Sequence, residues 1–217
     1  MIEHVLYLHG LASSPASNKG RFYAQRLAQH GFNVRVPDLN VPDFEHLTLT
    51  AMLARVAEEM RALPAAGGVA LIGSSMGGLT ALHFADRYRA QEGARLEKLV
   101  LLAPALDFLD NRRKQLGDLD LWRAQGYLNW LHHSYGEERR LHYGLIEDAQ
   151  QYDSYAVRLD LPILIYHGLH DASVDYQQSV RYAYQRPHVD LRLLDSDHQL
   201  LDKTEHMLAG ILAFLGQ

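Results

Sequence analysis

The chain has 217 residues, a formal net charge of −5 at pH 7 and no cysteine. That length suits one domain, residues 1–217, with a substantial core, and the acidic balance excludes a general polyanion binder, because phosphate affinity needs clustered Lys and Arg. The lack of cysteine excludes disulfides, a thiolate nucleophile and a cysteine-based zinc site.

In chain order, Met1-Ile2-Glu3-His4 leads straight into the apolar run Val5 to Leu8. No basic leader or cleavage signature precedes it, so the expected location is the cytoplasm. Further strand-like runs follow at Asn33 to Val36, Val69 to Ile72, Leu99 to Leu102, Ile163 to Tyr166 and Leu191 to Leu194. Segments of helical spacing lie between most of them, at Lys19 to His30, Leu47 to Leu63, Met76 to Ala90, Val174 to Gln185 and Lys203 to Leu215. Strand and helix in alternation predict a doubly wound, mostly parallel sheet with helices on both faces. The rhythm breaks at about 106–161, where no strand-like run is apparent. Trp122, Tyr127, Leu128, Trp130, Leu131 and Tyr135 there have roughly helical spacing, and an insert of that length normally carries its own structure. A small helical cap over the C-terminal edge of the sheet is expected. The two basic clusters, Arg112-Arg113-Lys114 and Arg139-Arg140, read as solvated surface. No apolar stretch is long enough to span a bilayer.

Gly73-Ser74-Ser75-Met76-Gly77 sits between the third apolar run and an Ala/Leu-rich helix. A strand ending in so sharp a turn holds the Ser75 hydroxyl at its tip. Glycines on either side remove the side chains that would collide there. Serine is a weak nucleophile that needs a base, and histidine suits that task. Of 13 histidines, His198 alone follows the last strand and precedes the final helix, at the C-terminal edge where ligands bind in parallel sheets. Asp171, in the loop after the fifth strand, is expected to orient it, with Asp107 at the end of the fourth strand as the alternative acid. The chain order Ser75, Asp171, His198 is that described for α/β-hydrolases. Met76 N–H and Leu11 N–H are the candidate oxyanion donors. Ser13, Ser14 and Ser17 serve either substrate binding or helix capping. His167 and His170 resemble a metal pair but lack further ligands, so neither metal nor cofactor is expected.

With these residues assigned, the chain resembles the α/β-hydrolase superfamily over nearly its whole length. The matching motifs are Leu8-His9-Gly10, Gly73 to Gly78, His167-Gly168 with Asp171, and Asp197-His198. The body and the Ser-Ser-Met-Gly-Gly elbow are similar to small bacterial esterases and to acyl thioesterases related to depalmitoylating enzymes. The resemblance implies a sheet of six strands in order 2-1-3-4-5-6, since the chain starts at what would be the family's third strand. The His-Gly-Gly-Gly run of many lipases is absent, which implies a tighter oxyanion loop. The implied activity is hydrolysis of carboxylic esters or thioesters through an acyl-enzyme on Ser75, with Trp122, Tyr127 and Trp130 lining a pocket under the cap. The expected partner is a small ester or thioester, not nucleic acid. Peptidase, C–C hydrolase, lyase and perhydrolase chemistry use the same fold, and a ligand-binding homologue without turnover is the reading outside enzymology.

Overall fold

A computed structural model describes residues 1–117 and 119–216. Six strands form the main sheet: β1 Ile2–Leu8, β2 Asn33–Arg35, β3 Gly68–Ser74, β4 Leu96–Leu102, then β7 Ile163–Gly168 and β8 Val189–Leu194. Their order is β2-β1-β3-β4-β7-β8, all neighbours parallel. This is the expected six-strand order, interrupted in sequence by two further strands that lie outside the sheet.

The strands read as continuous apolar runs because both faces are covered. Leu6, Leu71, Leu99, Leu101, Ile163 and Ile165 pack to one side, with α2 Leu49–Arg61 and α3 Met76–Arg87. Val5, Tyr7, Ile72, Val100, Leu102 and Leu164 pack to the other, against α1 Asn18–Gln29 and α8 Thr204–Leu215. Alternate residues facing opposite sides is the period of two that a strand imposes.

The insert contains helices α4 Phe108–Leu116, α5 Asp120–Gln125 and α6 Gly144–Ala149, as expected, but also a hairpin that corrects the helical reading. β5 Tyr127–His132 pairs antiparallel with β6 Glu137–His142, placing Leu128 opposite Leu141 and Trp130 opposite Arg139. The exposure of β5 alternates along the strand. Aromatic residues favour such a half-buried pleat, and Gly136, at a φ of +70°, supplies the left-handed turn residue. The hairpin is tied down by His133 N–H donating to Ala12 O at 2.9 Å and His142 N–H donating to Glu45 O at 2.7 Å. Helix α7 Gln177–Ala183 links β7 to β8. Among the described residues no helix is long and apolar enough to cross a membrane.

One topological feature places the site. β1 lies between β2 and β3, so the chain leaves β1 in one direction and later returns on its other side. Loops diverging from such a switch point open a crevice at the strands' C-terminal ends. Leu8 pairs with Gly73 at that end, so the loop after β1 faces the turn after β3.

Candidate active site

Ser75 occupies the turn between β3 and α3 with a φ of +55°, a conformation costly for a residue with a side chain. Its surroundings hold it there. Ser75 N–H donates to Leu102 O at 2.9 Å, and its carbonyl accepts from the amides of Gly78, Leu79 and Ala105 at 2.9, 3.2 and 3.1 Å. The neighbouring glycines are required sterically. A Cβ on Gly77 would fall on the Leu8 carbonyl oxygen, and one on Gly73 on the Gly77 carbonyl.

The structure brings Ser75, His198 and Asp171 together from three loops. His198 Nε2 lies 3.1 Å from Ser75 Oγ, and His198 Nδ1 lies 2.6 Å from Asp171 Oδ2. A carboxylate only accepts, so Nδ1 carries the proton and Nε2 is left to accept from the serine hydroxyl. Asp171 Oδ1 accepts from the amides of Ser173 and Val174, both at 2.8 Å. Burial opposes its charge, but hydrogen bonds from His167 and His198 outweigh this and hold its carboxyl well below the usual carboxylate range. Asp107, the alternative acid, instead lies 3.9 Å from Arg181.

His167 has a role that its pairing with His170 in sequence conceals. Its Nε2 faces two acceptors, Asp171 Oδ2 at 3.1 Å and Val174 O at 3.0 Å, while Nδ1 lies 2.7 Å from Ser179 Oγ. The ring therefore donates toward Asp171 and accepts from Ser179, buttressing the carboxylate from behind. His170 turns away to Asp195 at 2.7 Å.

Around the serine lies a cleft of about 790 Å³, lined on the sheet side by Leu11, Lys19 and Met76 and on the cap side by Phe108, Arg112 and Trp130. Gly10 brings the β1 loop close, since a Cβ there would sit 3.3 Å from Ser75 Cβ. Neither Leu11 N–H nor Met76 N–H is used in a loop or cap hydrogen bond among the described residues. His9, buried, ties this loop to the one after β2, with Nδ1 donating to Gly10 O at 2.9 Å and Nε2 accepting from Leu39 N–H at 3.0 Å.

Of the three aromatics expected in the pocket, Trp130 lines the cleft. Trp122 does not. It is buried within the cap, its indole N–H donating to Leu141 O at 3.0 Å and its ring edge-on to Tyr143. Tyr127 is likewise elsewhere, exposed on the hairpin beneath the Arg140 guanidinium at 4.4 Å. The alternation of β5 explains the split, because Tyr127 and Trp130 fall on opposite faces of one strand. Ser17 proves to be a cap, accepting from Gly20 N–H at 3.2 Å, and Ser14 accepts from Ala16 N–H at 3.3 Å.

Lys19 belongs to the site although its sequence position marks only a helix start. Its Nζ donates to Ser74 Oγ at 2.9 Å, next to the nucleophile candidate. Burial pushes the ammonium down to about 8, against the pull of Asp197 and Asp171. Arg112 also departs from expectation: it is 7% exposed and faces the cleft, not solvent.

Comparison with known proteins agrees with this architecture. A hydrolase candidate from Agrobacterium vitis S4 is similar with a TM-score of 0.82 at 25% identity, over 97% of this chain and 87% of that one. Est1E from Butyrivibrio proteoclasticus, solved with ferulic acid, gives a TM-score of 0.82 at 21% identity, over 98% and 87%. The mouse α/β-hydrolase domain-containing protein 10 gives 0.79 at 20% identity, over 98% and 89%. The chain thus has the α/β-hydrolase fold, and its solved neighbours include esterases and lipases. Among curated proteins none matches the sequence. A family model matches residues 4–216, and the chain belongs to the uncharacterised protein family UPF0227.

Proposed function

We propose that the chain is a serine hydrolase that cleaves carboxylic esters or thioesters. The observation that carries this reading is the continuous hydrogen-bonded line from Ser75 Oγ through His198 to Asp171, at 3.1 and 2.6 Å. Such a line lets His198 take the serine proton as Oγ attacks the acyl carbonyl, while Asp171 stabilises the imidazolium that forms. The oxyanion then develops beside the Leu11 and Met76 amides, whose N–H groups are available to it. Collapse of the intermediate expels the alcohol or thiol, protonated by His198. Water, deprotonated by the same ring, releases the acyl group from Ser75. Neither metal nor cofactor enters these steps.

A fluorophosphonate probe tests the assignment, because it reacts with serines activated by a neighbouring base. Labelling of the wild type and none of Ser75→Ala is expected, with ester hydrolysis falling on the order of 10⁶-fold in the variant. Equal labelling of both proteins would overturn the assignment of the nucleophile. A panel of aryl esters and acyl thioesters of increasing chain length then separates esterase from thioesterase.

A further inference from the structure

Arg112, on α4, is in an unusual state for an arginine. It is 7% exposed, its Nε is buried without a partner, and among the described residues nothing forms a hydrogen bond or ion pair with its guanidinium. Its close neighbours are the ring of Trp130 at 5.1 Å and that of Phe108 at 5.3 Å. Ring faces attract a cation, but they do not satisfy its N–H groups. Burial lowers the guanidinium to about 10. Burying a cation without a counter-charge is costly, and an anion entering the cleft would supply the charge that Arg112 lacks.

The rest of the cleft agrees. Although the whole chain carries −5, the described lining holds Lys19, Arg21 and Arg112 and neither Asp nor Glu. Two of these cations are already engaged. Lys19 is bonded to Ser74 and lies in the field of Asp171 and Asp197, and Arg21 is exposed and donates to Asn18 at 3.0 Å. Arg112 is left to face the cavity with its donors open.

We propose that Arg112 is a substrate-binding residue that receives a carboxylate or phosphate carried by the ester or thioester Ser75 attacks, an assignment that rests on the hydrolase reading above. The planar guanidinium suits either anion, because its paired N–H groups match two oxygens at once. Phe108 and Trp130 flank the guanidinium and favour its charge, while its terminal N–H groups face the cleft.

Binding without turnover tests the site. In Ser75→Ala, monomethyl glutarate and phenyl phosphate are titrated beside neutral dimethyl glutarate and phenol, followed by melting temperature and by tryptophan fluorescence, with Trp122→Phe added so that Trp130 is the sole emitter. At least one anion should raise the melting temperature and change the fluorescence, and the one that does so identifies carboxylate or phosphate. Adding Arg112→Met should abolish the response, whereas Arg113→Met, on the exposed side of the same helix, should preserve it. In kinetics, the preference of wild type for an anionic aryl ester over its neutral isostere should fall roughly tenfold or more in Arg112→Met, through KM, with Arg112→Lys intermediate.

Equal binding of anionic and neutral probes, or binding that survives Arg112→Met, overturns the proposal. So does a lower melting temperature of ligand-free Arg112→Met with no change in anion response, the behaviour of a merely structural arginine. Arg112-dependent anion binding by a wild type that turns over no ester supports the site and removes the hydrolase reading instead.

Discussion

On the sheet side of the cleft Asp171 is held by hydrogen bonds from four groups, His167, His198 and the amides of Ser173 and Val174, whereas on the cap side Arg112, Phe108 and Trp130 meet through ring faces. Proton transfer demands positions accurate to a fraction of an ångström, and directional bonds from rigid strand ends supply them. Holding an anion, the role proposed for Arg112, demands a charge left accessible, and the ring faces of Phe108 on α4 and Trp130 on the hairpin flank it without occupying its donors. The contrast predicts that changes at the sheet edge act on turnover, while changes within the cap act on binding and stability.

The largest effect expected in testing this division is that of Asp171→Asn. The neutral amide no longer stabilises the imidazolium and presents N–H as readily as oxygen to His198 Nδ1, which favours the wrong tautomer. The expected loss in kcat is on the order of 10⁴-fold, measured with an aryl ester at saturating concentration. Asp107→Asn should leave kcat close to wild type, since that carboxylate faces Arg181. If Asp107→Asn were the damaging change, the sheet-edge assignment would fail.

Much of this edge is legible in the sequence, for a physical reason. Parallel strands are buried on both faces, so Val5 to Leu8 or Leu99 to Leu102 stand out as apolar runs, and the loops after them must converge at one edge. Ser75 is picked out by its Gly-x-Ser-x-Gly turn, and Asp171 and His198 by their loops at that edge. His167 is not, because its partner Ser179 and the curl of the loop to Val174 are contacts that no local pattern encodes. Only its position, four residues before Asp171 at the end of an apolar run, hinted at a partnership. The cap was hidden for another reason. Tyr127, Leu128, Trp130 and Leu131 fit helical spacing as well as alternation, and a half-exposed two-stranded hairpin has no continuous apolar run to reveal it. Arg112, in a run of three basic residues, looks like surface until the helix is seen to turn one of them inward.

The cap's side of the contrast is probed by Trp122→Phe. The change removes the indole N–H and leaves the buried Leu141 carbonyl without that donor. A loss of about 1–2 kcal/mol is expected in urea unfolding. Turnover should stay within a few-fold of wild type, because Trp122 points into the cap and not into the cleft. A large fall in kcat would mean that the cap's internal packing sets the geometry at Ser75, and the division between the two walls would collapse.

The smallest effect belongs to Lys19, which sits on the sheet side but carries a charge that burial disfavours. Its ammonium is lowered from the ordinary 10.5 to about 8 in the folded chain. Between those values the unfolded chain binds more protons than the folded one, so stability rises with pH across that window and levels off above it. Most of the penalty is present at pH 7. From pH 7 to 9 the contribution of this single residue should grow by about 1 kcal/mol, less where the partly exposed stem lets water screen the charge. Urea unfolding at the two pH values, compared between wild type and Lys19→Met, isolates it, because the variant has no proton to lose and should lack that part of the rise. Coincident pH slopes for the two proteins would mean that Ser74, Asp171 and Asp197 stabilise the ammonium fully. Lys19 would then be a settled ion of the rigid wall, and Arg112 would stand as the cleft's one frustrated cation among the described residues.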